Sequence, residues 1–117
     1  MASLCIDISR FNDIIIVMNP ILIFKALANE TRLNILDWLK EPEKHFPTQE
    51  GGESKKIGVC VSHIQEKAGL SQSTVSQYLL LLQRAGLLQA NRYGQWTYYK
   101  RNEEAIQELA VYMKNGL

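Results

Sequence analysis

The apolar positions of this chain fall into alternating helical and extended rhythms, and the first sharp signal is Asn19–Pro20. Asn19 can cap a helix, and Pro20 suits the first helical position, where the missing N–H costs nothing. Ile21, Leu22, Ile23, Phe24, Ala26, Leu27 and Ala28 follow, interrupted only by Lys25. A helix apolar all round must be buried all round, so part of its burial is expected against a second copy of the chain. Asn29 is placed to cap a second helix through Leu33, Leu36 and Leu39, which Pro42 stops. Residues 41–56, with Pro42, Pro47, Gly51, Gly52 and many charges, read as a flexible inserted loop. Residues 1–18 read as an N-terminal extension, in which Ile6, Ile8, Phe11 and the run 14–17 fit a short helix or a strand.

Beyond the loop, Ile57–Val61 is a short β-like run. Ser62 and Gln65 have capping-box spacing, which predicts a helix from Ser62 to Ala68, ended by Gly69. Ser71 is placed to cap a longer helix reaching Arg84, closed by Ala85–Gly86. Leu87–Arg92 and Gln95–Lys100 are strand-like runs around Tyr93–Gly94, where glycine supplies the freedom a tight hairpin needs. Asn102 begins a last helix with Glu103 and Glu104 in its first turn, favourable near the positive end of the dipole. Its stripe is Ile106, Leu109, Ala110 and Met113, with Tyr112 at the edge. The order describes a mainly α (α+β) fold: a winged helix-turn-helix domain over residues 19–117 with a two-stranded wing. Ile21, Phe24 and Leu27 of the first helix, and Ile106, Leu109 and Met113 of the last, are the expected homodimer contacts, since one small domain cannot cover both stripes.

Composition changes this picture little: 46% apolar and 21% charged residues are ordinary globular values. The longest apolar run near the N-terminus, Ile14–Met18, is too short to span a membrane and lacks the flanks of a signal peptide. A soluble, cytoplasmic protein with no membrane partner is expected. Charge changes it more. Residues 1–66 carry seven basic and nine acidic side chains, whereas residues 67–101 carry Lys67, Arg84, Arg92, Lys100 and Arg101 with no acid. From Asn102 onward Lys114 faces three glutamates. An acid-free basic stretch suits phosphate binding, although a solvated surface with chance clustering would look the same.

The stretch Ser62–Arg84 followed by a hairpin is where candidate chemistry concentrates. Val75, Tyr78, Leu79 and Leu82 fall at i, i+3, i+4 and i+7 and are expected inward. Gln72, Ser73, Ser76, Gln77 and Leu80 then take the opposite face. Gln pairs bidentately with adenine, Ser bonds base edges or phosphates, and the helix N-terminus offers N–H groups to phosphate. Double-stranded DNA is the expected partner, contacted by Ser71, Gln72, Ser73, Thr74, Ser76, Gln77 and Arg84, with Arg92 at the wing tip and Lys100 at its base. Trp96 and Tyr98 alternate with Thr97 and Tyr99; burial under the wing is expected over base stacking.

Three separated motifs now agree in order and spacing. Phe24-Lys25-Ala26-Leu27-Ala28-Asn29-Glu30-Thr31-Arg32-Leu33-Asn34-Ile35-Leu36, Gly69-Leu70-Ser71-Gln72-Ser73-Thr74-Val75-Ser76-Gln77-Tyr78-Leu79 and the wing segments Ala85-Gly86-Leu87-Leu88 and Gly94-Gln95-Trp96-Thr97-Tyr98-Tyr99 resemble the ArsR/SmtB repressors over residues 20 to 113. The resemblance implies a repressor dimer packed through its first and last helices, with Gln72, Ser73, Ser76 and Gln77 toward DNA. The family usually has His where Gln77 stands. Its sensor cysteines are matched only in part: Val59-Cys60-Val61-Ser62-His63-Ile64 keeps one and has Ser62 at the other, and no His follows His63. Cys5 and Cys60, with His63, leave open a soft-metal site, a thiol switch or no cysteine chemistry. No cofactor is expected. Cys60 and His63 lack a third orienting group for nucleophilic catalysis, so an enzyme is not expected. A winged-helix module for protein contacts is the rival reading.

Overall fold

The computed structural model describes residues 19–49 and 53–117; Cys5 and the expected N-terminal extension lie outside them. Helix α1 (Pro20–Leu27) starts as its residues dictate, with Pro20 in the first turn and Asn19 Oδ1 accepting from Leu22 N at 3.1 Å. Helix α2 (Glu30–Lys40) is capped in the same way, Asn29 Oδ1 accepting from Arg32 N at 3.0 Å. Short helices α3 (Pro42–His45) and α4 (Ser54–Ile57) follow, then strand β1 (Val59–Cys60) and helix α5 (Val61–Ala68). Helix α6 (Gln72–Arg84), the hairpin β2 (Leu88–Tyr93) and β3 (Trp96–Arg101), and helix α7 (Glu103–Gly116) complete the order.

One core joins these elements. Ile23 and Ala26 of α1, Ile35, Leu36 and Leu39 of α2, Ile64 of α5 and Val75, Leu79 and Leu82 of α6 are all buried in it. Leu87 and Leu88 carry it into the hairpin, and Leu109 of α7 closes it. The hairpin strands pair in register from Leu88↔Arg101 to Tyr93↔Trp96. Each strand begins and ends one residue later than the periodicity suggests.

Three expectations are corrected. The wing is part of a three-stranded antiparallel sheet, order β1-β3-β2, because Val59 pairs with Tyr99 and Cys60 with Tyr98. Gly58 makes that pairing feasible: at φ 100° it brings the backbone so close to β3 that a Cβ there would sit 2.6 Å from Tyr99 O. Second, α5 starts at Val61, not Ser62, with Cys60 in the cap position and no side-chain cap bond. Ser62 Oγ instead lies 3.3 Å from Cys60 Sγ. Third, the described parts of the segment read as a flexible loop, residues 41–49 and 53–56, include helical turns and buried side chains. Pro42 and Phe46 are buried, and the Phe46 ring meets Trp38 edge-on at 6.4 Å. Gln49 Nε2 donates to Gly58 O at 2.6 Å, and Gln49 Oε1 accepts from Cys60 N at 3.3 Å, so an amide side chain satisfies the free edge of β1.

Phe46→Ala tests this anchoring. The substitution is expected to destabilise the protein by about 3 kcal/mol in urea unfolding at fixed protein concentration, as for other buried phenylalanines. A change within about 0.5 kcal/mol, typical of surface positions, would return the segment to a dispensable loop.

Candidate nucleic-acid interface

Helices α5 and α6 meet at Gly69–Leu70–Ser71. Gly69 takes the left-handed conformation at φ 68° and its N–H closes α5 on Gln65 O at 2.9 Å. Ser71 Oγ accepts from Thr74 N at 3.2 Å and donates to Thr74 Oγ1 at 2.9 Å, with Ser73 Oγ 3.3 Å away. Ser71 and Thr74 are therefore engaged in holding the first turn of α6, which makes them positioning residues. Gln72, Ser76 and Gln77 are exposed, and their side chains make no hydrogen bond among the described residues. Val75, Leu79 and Leu82 have no exposed surface, so the helix cannot rotate without placing amides in the core. Leu80 is 42% exposed on the polar side.

The basic stretch does not form a single patch. Lys67 Nζ sits 5.2 Å from the centre of the Trp38 ring on the body of the domain. Arg101 is tied to Glu103, Nη2 donating to Oε1 at 3.0 Å. Its Nε is 3.0 Å from Oε2, but the N–H is not aligned for a hydrogen bond, so that contact is electrostatic. Lys100 Nζ donates to Lys56 O at 3.1 Å. Arg84 and Arg92 are exposed, Arg92 Nε donating to Gly94 O at 3.3 Å across the turn. Arg84 lies at the far end of α6, roughly 18 Å along the helix from Gln72. Lys100, near the end of the six-residue strand β3, stands well over 10 Å from the wing tip.

The aromatic strand divides. Tyr98 is 6% exposed, whereas Trp96, on the same face, is 49% exposed. Trp96 is paired opposite Tyr93, which is also exposed. Tyr93 meets Tyr98 edge-on at 5.6 Å. The expectation of burial under the wing thus fails for Trp96, which stands beside the hairpin turn.

The residues expected at the dimer contact also divide. Ile21 and Met113 are exposed, at 63% and 48%, while Phe24, Leu27 and Ile106 are half-buried and pack against the core. Leu109 points into its own chain and is 8% exposed. Val111, 53% exposed, is the apolar neighbour the stripe omitted. Arg32 was missed too. Its Nε donates to Ala26 O at 2.7 Å and its Nη2 to Lys25 O at 3.2 Å, and its guanidinium lies 5.0 Å from the centre of the Tyr78 ring. One side chain of α2 thereby satisfies the end of α1 and touches α6.

Cys60 is buried, and among the described residues no three His, Cys, Asp or Glu side chains are grouped so as to hold a metal. His63 Nδ1 is buried and has no hydrogen-bond partner among the described residues. No helix of the described residues is long and apolar enough to cross a membrane.

Two helices joined by a tight glycine turn, the second presenting a free polar face and followed by a hairpin, define a winged helix-turn-helix domain. No protein-family model matches the chain. It is 59% identical over 100 residues to the HTH-type transcriptional regulator YbzH of Bacillus subtilis, covering 86% of this chain and 100% of that one. It is 30% identical over 98 residues to the arsenic resistance transcriptional regulator ArsR1 of Pseudomonas putida, covering 84% of this chain and 66% of that one. A homodimeric winged helix-turn-helix DNA-binding domain from Mycobacterium bovis superposes with a TM-score of 0.58 at 28% identity, covering 90% of this chain and 80% of that one. The chain belongs to the ArsR family of winged helix-turn-helix transcriptional regulators.

The Ser71 cap is open to direct test. Ser71→Ala is expected to lower stability by about 1 kcal/mol, and Ser71→Asp to retain it, because a carboxylate also caps and complements the helix dipole. Equal losses for the two variants in urea unfolding would show that the cap bond does not hold this helix.

Proposed function

We propose that this regulator is a homodimeric repressor that reads an inverted-repeat operator in duplex DNA. The observation that carries the reading is the N-terminal half of α6. Gln72, Ser76 and Gln77 stand free there, on a helix locked from behind by three fully buried side chains. Gln72 and Gln77 have the donor–acceptor pair that adenine requires, Ser73 and Ser76 suit base edges or phosphate, and Leu80 suits a thymine methyl. Arg92 on the wing supplies sequence-independent attraction to the backbone, with Arg84 as a second phosphate contact. The two copies meet through Ile21, Phe24 and Leu27 of α1 and Ile106, Val111 and Met113 of α7, which holds two α6 helices about 34 Å apart. Such a protein works in the cytoplasm, and this mechanism needs no metal.

Gln72→Ala and Gln77→Ala are each expected to cost about 1–3 kcal/mol on the operator and little on random duplex. Arg92→Ala is expected to weaken both and to reduce the salt slope by about one. Fluorescence anisotropy titrations at several salt concentrations separate the two behaviours. Equal losses on both duplexes for the glutamine variants would overturn the assignment of the reading face.

The interface is tested at Ile21, which projects away from its own core, whereas Phe24 packs partly against it. Ile21→Asp is expected to convert a dimer to a monomer in sedimentation at micromolar concentration, since an unpaired charge in an apolar contact costs several kcal/mol. Operator affinity should fall with it, while far-ultraviolet circular dichroism at low temperature shows the helical content of the wild type retained. A wild-type monomer that still protects an inverted repeat would exclude this interface.

A further inference from the structure

A cleft of about 280 Å³ opens at the base of the wing, on a different part of the domain from the exposed face of α6. Lys40 at the end of α2, Lys55 of α4, and Tyr99, Lys100 and Arg101 of β3 line it, with Glu103 at the start of α7. Four cations thus share one small concavity with a single carboxylate on its wall. That carboxylate is committed to Arg101 through two contacts at 3.0 Å. Glu41, beside Lys40 in the chain, is paired with Lys44 at 3.3 Å. Lys40 and Lys55 have no ion-pair partner among the described residues, and Lys100 is held only by the carbonyl of Lys56. The Tyr99 hydroxyl makes no hydrogen bond among the described residues, and burial pushes its pKa above the usual phenol value, so it remains a donor at neutral pH.

We propose that this cleft is a binding site for a small doubly charged oxyanion, a phosphate- or dicarboxylate-bearing metabolite. Lys40, Lys55 and Lys100 supply the charge, and Tyr99 an O–H donor. Each amine is a compact donor that can turn to a shared anion, and charge-assisted bonds of this kind are stronger than neutral ones. The anion also relieves the mutual repulsion of three lysines gathered in one place. The volume lies at the small end of ligand sites, which excludes a nucleotide lying entirely within it. Helix α4 is essential here: it holds Lys55 at the wing, where Lys100 bonds the backbone of the neighbouring Lys56. The proposal does not depend on which DNA sequence the protein reads.

The test uses the full chain, free of DNA, in isothermal titration with inorganic phosphate and separately with succinate, at constant ionic strength. Saturable binding of at least one probe is expected, and the pair tells a phosphate site from a dicarboxylate site. Lys40→Gln/Lys55→Gln should weaken that binding about tenfold or more, the loss of charge-assisted bonds, while Tm without anion and operator affinity without anion stay as in the wild type. Arg92→Ala should bind the anion as the wild type does. The proposal is overturned if neither probe saturates, or if the double variant binds equally well. It is also overturned if binding is lost in Arg92→Ala, which would place the anion at the DNA face. A double variant that chiefly loses affinity for random duplex would make the lysines a DNA contact instead and equally overturn it.

Discussion

The inner face of α6 is the constraint on which the rest of the structure depends. Val75, Leu79 and Leu82 are fully buried against α1, α2 and α5, each contributing roughly 1.5–3 kcal/mol relative to exposure. A turn of one residue about the helix axis would drive Gln72 or Ser76 toward that core. Burying an unpaired amide or hydroxyl costs roughly as much as one of those apolar contacts supplies. Which residues face a partner is thus decided by those that cannot face water. The capping bonds of Ser71 and Thr74 then fix where the exposed face begins.

A second dependence runs through Arg32. At the end of α1, Lys25 O accepts from Ala28 N at 3.3 Å, and the Arg32 guanidinium adds donors to Lys25 O and to Ala26 O while lying over Tyr78. The helix that carries Ile21 and Phe24 and the helix that carries Gln72 and Gln77 are consequently held by the same side chain. In a dimer joined through α1, the spacing of the two α6 helices would depend on this contact as well as on the interface. Lysine could not replace it, because one ammonium lacks both the fork and the flat face.

The wing shows a different economy. Its base is anchored by pairing of β3 with β1, by Leu88 in the core and by the Arg101–Glu103 pair. Its tip carries exposed Tyr93, Trp96 and Arg92. Four charged residues that look alike along the sequence therefore have different surroundings. Lys67 lies over a Trp38 ring, Lys100 and Arg101 sit at the base, and Arg92 is at the tip.

What the sequence by itself determined rests mostly on contacts three or four residues apart, with the Ser62–Gln65 spacing the exception, since Ser62 turns to Cys60 instead of capping a helix. Asn19, Asn29, Ser71 and Asn102 cap helices as their chemistry predicts, each side chain accepting from the backbone N–H three residues on. The i, i+4, i+7 spacing of Val75, Leu79 and Leu82 gave α6 its inward face, and Gly94 marked the hairpin turn. Only the tertiary structure decided residues 41–49, because Phe46 is ordered by Trp38 and Gln49 by a strand edge, while polar composition there resembled a loop. It likewise decided that Leu109 turns inward while Met113 stays outside, though both lie on one stripe. Trp96 is exposed for the same kind of reason: strand alternation gives a side chain its face, but whether anything covers that face depends on elements far away in the chain.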